Sequence, residues 1–203
     1  MDSMVKQGAA KTRILDIAEQ LAQTRGFNGF SYADIAKKLD VTKASLHYHF
    51  PTKSDLGRAL VIRYEGAFQR ALEEIGRSKG DAWQRLQSYM KLYDVVMRND
   101  RMCLCGMLAA EIATLPAPMR GELRRFFKTN ERWLAEVLEE GRRQGSLSFR
   151  GSAQDRAGVL LGALEGMMLV ARSCSDDRFF RNAAKRLLAD LKPDGAEGRP
   201  LVR

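Results

Sequence analysis

SYADIAKKLDVTKASLHYHF, residues 31–50, is the stretch that decides the fold of this 203-residue chain. Ser31 and Asp34 have the S-x-x-[DE] spacing of a capping box, which predicts that a helix of about two turns begins there. Thr42 is a good N-cap residue for a second helix over Lys43–Phe50. Two short helices joined by a tight turn form a helix-turn-helix, so the stretch predicts that motif.

The second helix carries side chains that suit DNA. Hydrogen-bond donors can meet phosphates and base edges, and Ala44 is small enough to contact a thymine methyl group. Leu46 and Phe50 lie one turn apart and should face the core. The alternative is an ordinary helical hairpin whose polar face is solvated. The residues predicted to contact DNA from this helix are Thr42, Lys43, Ala44, Ser45, His47 and Tyr48.

A second capping box, formed by Thr52 and Asp55, predicts a long fourth helix that continues to about Arg77. Lys53 lies in its first turn, where backbone N–H groups and the helix dipole favour an anion. Lys53 is therefore a further candidate for contact with a DNA phosphate.

The residues from His47 to Leu56, HYHFPTKSDL, resemble the end of the DNA-binding domain of the TetR family of bacterial transcriptional regulators. That family has an aromatic pair, then His, Phe, two variable residues, Lys and a downstream Leu. The chain departs from the pattern at Asp40, where the family often has Gly, but Asp tolerates a left-handed turn. His47 replaces the first aromatic residue, which should alter base preference and not the fold. The resemblance is strong over about the first 60 residues and also implies a phosphate contact by Lys53.

Helical patterns fill the rest of the chain, which predicts an all-α protein. A three-helix DNA-binding domain is expected at residues 1–52, and a larger helical domain for effector binding and dimerisation at 53–192. A polar tail follows at 193–203, and Met1–Ala9 is expected to be a mobile arm. Outside residues 31–50 the predicted helices are Ala10–Arg25, Thr52–Arg77, Asp81–Arg98, Met102–Leu115, Met119–Gln144, Ser152–Ser173 and Asp177–Leu191.

Composition narrows the function classes. A net charge of +9, with 45% hydrophobic and 29% charged residues, favours a globular protein with an anionic partner. Three cysteines and no secretory signal predict a cytoplasmic protein. The apolar run Ala157–Ala171 is too short to span a bilayer, so no membrane contact is expected. No phosphate loop or catalytic constellation appears, which leaves an enzyme as the remote alternative and predicts no cofactor.

Gly158, Gly162 and Gly166 follow one another at four-residue intervals in that apolar run. One face of the helix is therefore nearly free of side chains, and another helix can approach closely. Tight packing within the chain is one interpretation. The family resemblance implies instead that this helix and the last one form a four-helix interface in a homodimer. A dimer would place two recognition helices one DNA turn apart on a palindromic operator.

The middle helices are predicted to hold a pocket for a small-molecule effector, because flexible sulfur and aromatic side chains favour such sites. Any one of these residues could instead belong to the core. Tyr93 and Trp133 are the stronger candidates because each has a polar group. The candidates are Met90, Tyr93, Met97, Met107, Trp133 and Met167. The alternative is a DNA-binding protein without an effector, whose second domain only dimerises.

Cys103 and Cys105 are separated by one residue in the sequence MCLCG. Two thiols without a nearby His supply too few ligands for a metal, so no metal site is predicted. They are candidate sensors of electrophiles or oxidants, because Arg98 and Arg101 could favour the reactive thiolate. A cysteine in this region also resembles the electrophile-sensing branch of the family. The alternative is that both thiols are buried as small apolar groups.

Overall fold

The computed structural model describes residues 2–193, with side chains described from Gln7 onward. The predicted polar tail lies outside these residues, apart from Pro193. The described chain is helical and contains no strand, which confirms the predicted all-α fold. The helices are α1 (Asp2–Arg25), α2 (Tyr32–Leu39), α3 (Lys43–His49), α4 (Lys53–Arg77), α5 (Ala82–Arg98), α6 (Leu104–Ala110), α7 (Ala117–Arg143), α8 (Ala153–Ser173) and α9 (Asp177–Ala189).

Helix α1 begins at Asp2 and not at Ala10. The predicted mobile arm is therefore wrong for residues 2–9, which are helical. This segment contains no proline to interrupt a helix, and its single glycine, Gly8, only lowers helix propensity. The helix ends at Arg25 as predicted, and Gly26 follows it with the left-handed φ of 81° that glycine adopts without strain.

Helices α6 and α7 differ from the prediction at the prolines between them. Helix α6 ends at Ala110 and not at Leu115, because the chain from Glu111 onward forms turns. Helix α7 begins at Ala117, so Pro118 lies in its first turn. A proline is well tolerated there because the first N–H groups of a helix have no partner within the helix.

The chain divides into two compact units. One comprises Met1–Gln69 and Asp100–Phe126, and the other comprises Arg70–Asn99 and Phe127–Arg203. This division differs from the domain boundary predicted after Thr52, because residues 100–126 group with the N-terminal residues. The assignment of DNA binding to one domain and effector binding to another stays a prediction. None of the described helices combines the length and the apolar character needed to cross a lipid bilayer.

The core of the first unit includes an apolar stripe on one face of α1. Ile14, Ala18 and Leu21 on this helix are buried, and so are Ile35 on α2 and Leu46 on α3. These side chains join the three helices around a single core. In the second unit, α8 packs against α9, and both pack against α5.

Gly57 lies at a point of close packing in α4. A Cβ atom at this position would lie 2.4 Å from Met119 Sδ and 2.7 Å from Phe27 Cε2. Gly57→Ala should therefore lower the free energy of unfolding by about 1–3 kcal/mol, measured by urea denaturation. The control is Gly76→Ala in the same helix, where nothing lies within 4 Å of the new methyl group. The control should stabilise the protein by about 0.5–1 kcal/mol, and equal effects of the two changes would contradict the prediction.

Candidate nucleic-acid interface

The predicted capping box fixes the start of helix α2. The backbone N–H and the hydroxyl of Ser31 both donate to Asp34 Oδ2, at 2.8 and 2.6 Å. The hydrogen bonds from Ser31 lower the pKa of Asp34. Asp40 follows the helix with φ 53° and ψ 52°, which confirms the left-handed turn predicted for this residue.

Thr42 caps helix α3 as predicted, because its side chain accepts a hydrogen bond from the Ser45 N–H at 3.2 Å. Leu46 and Phe50 are buried, which confirms that this face of the helix points to the core. The helix ends at His49, one residue earlier than predicted, and Phe50 is its C-cap.

The other face of α3 is open to solvent. Tyr48 on this face has 73% of its surface exposed. The candidate DNA contacts that are exposed are Thr42, Lys43, Ala44, His47 and Tyr48, and Ser45 is half-buried. Helix α3 therefore presents hydrogen-bond donors and a small apolar side chain to solvent, while its opposite face is buried in the core.

Tyr32 joins the two helices of the motif. Its hydroxyl donates to the Phe50 carbonyl at 2.7 Å and to the Thr52 carbonyl at 2.8 Å. Burial, and then the negative charge of Asp55, raise the pKa of Tyr32 to about 12. Sequence reasoning missed this role, because nothing near Tyr32 in the sequence indicates a partner 18 or 20 residues away.

His47 is held in place beside Tyr32. Its Nδ1 lies 3.0 Å from the Pro51 carbonyl oxygen, and its ring centroid lies 4.6 Å from that of Tyr32. The ring lines an open groove of about 340 Å³ at the start of α2. The groove is lined by Phe30, Ser31, Tyr32, Ala33, Lys43, His47 and Lys53.

A second groove, of about 300 Å³, lies where α1 meets α3. Gln7 Nε2 donates to the Tyr48 hydroxyl at 3.2 Å, and Lys11 and His49 line the same groove. This arrangement adds a positive charge and polar groups beside Tyr48. Sequence analysis did not include Gln7 or His49 among the candidate DNA contacts.

Lys53 has bonds that the sequence did not predict. Its ammonium group donates to the Phe27 carbonyl at 2.6 Å and to the Phe30 carbonyl at 2.5 Å. Burial lowers the pKa of Lys53, and the charges of Glu111 and Asp34 oppose that shift. The predicted phosphate contact would have to use the third N–H of the ammonium group.

Both candidate sensor cysteines are inside the protein. Cys103 and Cys105 expose 2% and 0% of their surfaces, and neither is in a disulfide. The Tyr64 hydroxyl donates to Cys103 Sγ at 3.8 Å. Arg98 forms an ion pair with Asp94 at 2.5 Å. In the part of the chain that the structure describes, no group of three or more His, Cys, Asp or Glu could hold a metal ion.

Tyr93 and Trp133, the favoured effector-pocket candidates, both contact Tyr89 in the second unit. The Tyr89 and Tyr93 hydroxyls lie 3.0 Å apart, and the Trp133 ring stacks on Tyr89 with centroids 5.5 Å apart. Tyr89 also donates to Asn130 Oδ1 at 3.2 Å. Sequence analysis missed Tyr89 and Asn130. Of the other candidates, Met90, Met97 and Met167 also lie in the second unit, and Met107 lies in the first.

Known proteins match both parts of the chain. The family described as bacterial regulatory proteins, tetR family, matches residues 14–60. The tetracyclin repressor-like C-terminal domain matches residues 82–187.

Individual relatives match over most of their length. A TetR-family transcriptional regulator from Agrobacterium tumefaciens has a solved structure that is 32% identical in sequence. It superposes with a TM-score of 0.89 and covers 92% of this chain and 100% of its own. The transcriptional repressor NemR of Escherichia coli K12 is 28% identical over 166 residues, which are 80% of this chain and 83% of NemR. The structure of reduced E. coli NemR has a TM-score of 0.80 at 26% identity and covers 91% of this chain and 98% of its own.

The hydroxyl of Tyr32 supplies a prediction for stability. Tyr32→Phe keeps the ring but removes the donor to two carbonyl groups, which should lower the free energy of unfolding by about 1–3 kcal/mol at pH 8. The pKa of Tyr32 is raised on folding, so this stabilisation is fully present below the unfolded value of 10.0 and is lost as the pH rises through about 12. The difference in the free energy of unfolding between the wild-type protein and Tyr32→Phe should therefore shrink between pH 10 and about pH 12.

Urea denaturation at a series of pH values measures this difference. Tyr48→Phe is the control, because it removes a hydroxyl from a side chain that is 73% exposed. A loss of stability no larger than that of the control would contradict the role of Tyr32, and so would a difference that stays constant up to pH 12.

Proposed function

Because the chain belongs to the TetR family of bacterial regulatory proteins and is a DNA-binding transcriptional regulator, we propose that it is a repressor. It acts in the cytoplasm, binds a palindromic operator as a homodimer and is released by a small-molecule effector or by cysteine modification. The name of the relative NemR, a transcriptional repressor, supports repression. The observation that carries the proposal is the solvent-exposed face of α3. Lys43, His47 and Tyr48 lie on this face, opposite the face of the helix that is buried in the core.

The roles of the DNA-contacting residues follow from their chemistry. Lys43 and His47 determine most of the base choice, because both are exposed donors on the recognition helix. Ser45 and Tyr48 contact phosphates, and Lys53 is the further phosphate candidate. Thr42 and Ala44 complete the surface, with Ala44 positioned by its size for a thymine methyl group.

Dimerisation through α8 and α9 is supported by the apolar surface that these helices expose. Val159 and Leu169 on α8 are 53% and 48% exposed, and Phe179 on α9 is 40% exposed. Gly162 and Gly166 have open space around the position of a Cβ atom. Exposed apolar patches of this kind are typical of protein interfaces.

The release mechanism is a shift between two states. An effector bound in the C-terminal domain moves α4, changes the spacing of the two recognition helices and weakens operator binding. A differential affinity of about 1–3 kcal/mol is enough for this coupling. The cluster of Tyr93, Trp133 and Tyr89 supports the location of the effector site, because it combines aromatic surface with hydroxyl groups.

The operator is best found by selection from a random pool of DNA duplexes, followed by footprinting of genomic DNA. A dimer should select two related half-sites about one helical turn apart. A single half-site would contradict the dimer, and the absence of any selected sequence would contradict specific DNA binding.

Two variants separate base choice from phosphate contact. Lys43→Ala should reduce discrimination between the selected sequence and its point variants by about 1–3 kcal/mol at the contacted position. Tyr48→Phe should weaken binding to all sequences by a similar factor. Fluorescence anisotropy with the selected duplex and its variants measures both effects. If Lys43→Ala and Tyr48→Phe changed discrimination equally, the proposed division of roles would be wrong.

Cysteine modification has its own test. If Cys103 or Cys105 is a sensor, N-ethylmaleimide should release DNA from the wild-type protein. It should not release DNA from the variant that lacks the sensor thiol, which is Cys103→Ser or Cys105→Ser. Burial of both thiols supports the alternative of small apolar groups in the core. Cys174→Ser is the control, because Cys174 is exposed. Equal release from all four proteins would eliminate the sensor hypothesis for both buried thiols.

A further inference from the structure

We propose that Glu111 and Lys53 are positioning residues for DNA binding, which together hold the turn between α1 and α2 and so set the position of the recognition helix. This turn comprises residues 26–30. The inference rests on DNA binding through α3, as proposed above. It gives Glu111 a role in DNA binding although Glu111 lies outside the helix-turn-helix.

Glu111 binds the N–H groups of the turn. Its Oε2 accepts from the Phe27 N–H at 2.6 Å, and its Oε1 accepts from the Asn28 N–H at 3.2 Å. The carboxylate lies so close that a Cβ atom on Gly26 would be 2.7 Å from Oε1. Nearby, Asn28 Nδ2 donates to Thr114 Oγ1 at 2.7 Å. A charged acceptor with two amide donors makes stronger bonds than neutral groups do.

Lys53 binds carbonyl groups of the same turn. Besides its bonds to the Phe27 and Phe30 carbonyls, its ammonium group lies 4.6 Å from the centroid of each of the two rings. The turn is therefore bonded through its N–H groups to an anion and through its carbonyl groups to a cation. Phe27 takes part in both sets of bonds.

The position of this turn matters because the helices after it are short. Helix α2 has 8 residues and α3 has 7, which is too short for either to be stable alone. Their orientation depends on the groups that hold their ends. Phe30 is buried and precedes the cap residue Ser31, so a shift of the turn moves the start of α2.

Glu111 also joins the turn to helix α6, of which it is the C-cap residue. Before the helix starts, the Met102 N–H donates to the Gln23 carbonyl of α1 at 3.2 Å. The segment from Met102 to Glu111 is thus bonded at both ends to residues at or just after the end of α1. A displacement of α6 therefore acts directly on the turn.

The first test uses the sign of the effect of Glu111→Gln on affinity. Removing a negative charge from a protein that binds an anion should leave affinity unchanged or raise it, if charge alone matters. If Glu111 positions the turn, affinity for the selected duplex should fall about tenfold, because one charged acceptor with two donors is lost. Glu73→Gln is the control, since it makes the same charge change at an exposed site of α4. Unchanged or tighter binding by Glu111→Gln would overturn the proposal.

The second test separates positioning by Lys53 from its predicted phosphate contact. Lys53→Met should weaken binding without changing the slope of log affinity against log salt concentration. A direct phosphate contact would instead reduce that slope by about 0.9. The double variant combines Glu111→Gln with Lys53→Met. Because both residues hold one turn, its loss in log affinity should be smaller than the sum of the losses of the two single variants. A reduced slope or additive losses would contradict the shared role.

Folding and function are separated by two further measurements. Circular dichroism establishes that each variant is folded at the temperature of binding. Thr114→Val is the milder variant: it removes the bond from Asn28 and the bond from the Thr114 hydroxyl to the Glu111 carbonyl at 3.0 Å, keeps the Glu111 carboxylate, and should weaken binding slightly. Amide hydrogen exchange without DNA tests the positioning directly. Residues 27–50 should exchange faster in Glu111→Gln than in Glu73→Gln, and equal exchange would overturn the proposal. Failure of the wild-type protein to select any duplex would contradict the proposed function and leave the exchange result to decide on positioning.

Discussion

The helix-turn-helix of this protein depends on hydrogen bonds that satisfy backbone groups at helix ends. Helices as short as α2 and α3 cannot be stable alone, and each leaves unpaired N–H and carbonyl groups at its ends. Side chains supply partners at these ends: Asp34 and Thr42 bind N–H groups, and Tyr32 binds the carbonyl of Phe50, the C-cap of α3. Lys53 binds the Phe27 and Phe30 carbonyls in the turn before α2. These bonds hold the outward face of α3, the surface that we propose contacts DNA.

Much of the fold was predictable from the sequence, because the signals that set helix ends are local. The pairs Ser31 with Asp34 and Thr52 with Asp55 are three residues apart, and the hydrogen bonds between them are present. Proline misled the prediction near α7, since Pro118 is as compatible with the first turn of a helix as with the end of one. The start of α1 was missed because the regular apolar stripe of this helix begins only at Ile14, so periodicity gives little signal for residues 2–9.

The candidate site was predictable only in part, for a physical reason. The outward face of α3 follows from helical periodicity, so the exposed donors could be named from the sequence. The partners of Lys53 and of the turn after α1 could not be named from the sequence, because they lie 26 and 84 residues away along the chain. A lysine at the start of a helix looks the same in sequence whether it binds a phosphate or a backbone carbonyl. Burial of Cys103 and Cys105 likewise depends on the whole packing, and it favours the simpler of their two interpretations.

The separation of Glu111 from the turn has a consequence for biosynthesis. The ribosome makes Phe27 and Asn28 long before the carboxylate that binds them, since 84 residues separate Glu111 from Phe27. At about 5–20 residues per second, translation of that interval takes about 4–17 s. During this time the nascent N-terminal segment lacks the acceptor for two of its amides. The part of the chain that we propose reads DNA is thus made first, but its turn before α2 acquires the Glu111 bonds only when the sixth helix has been translated.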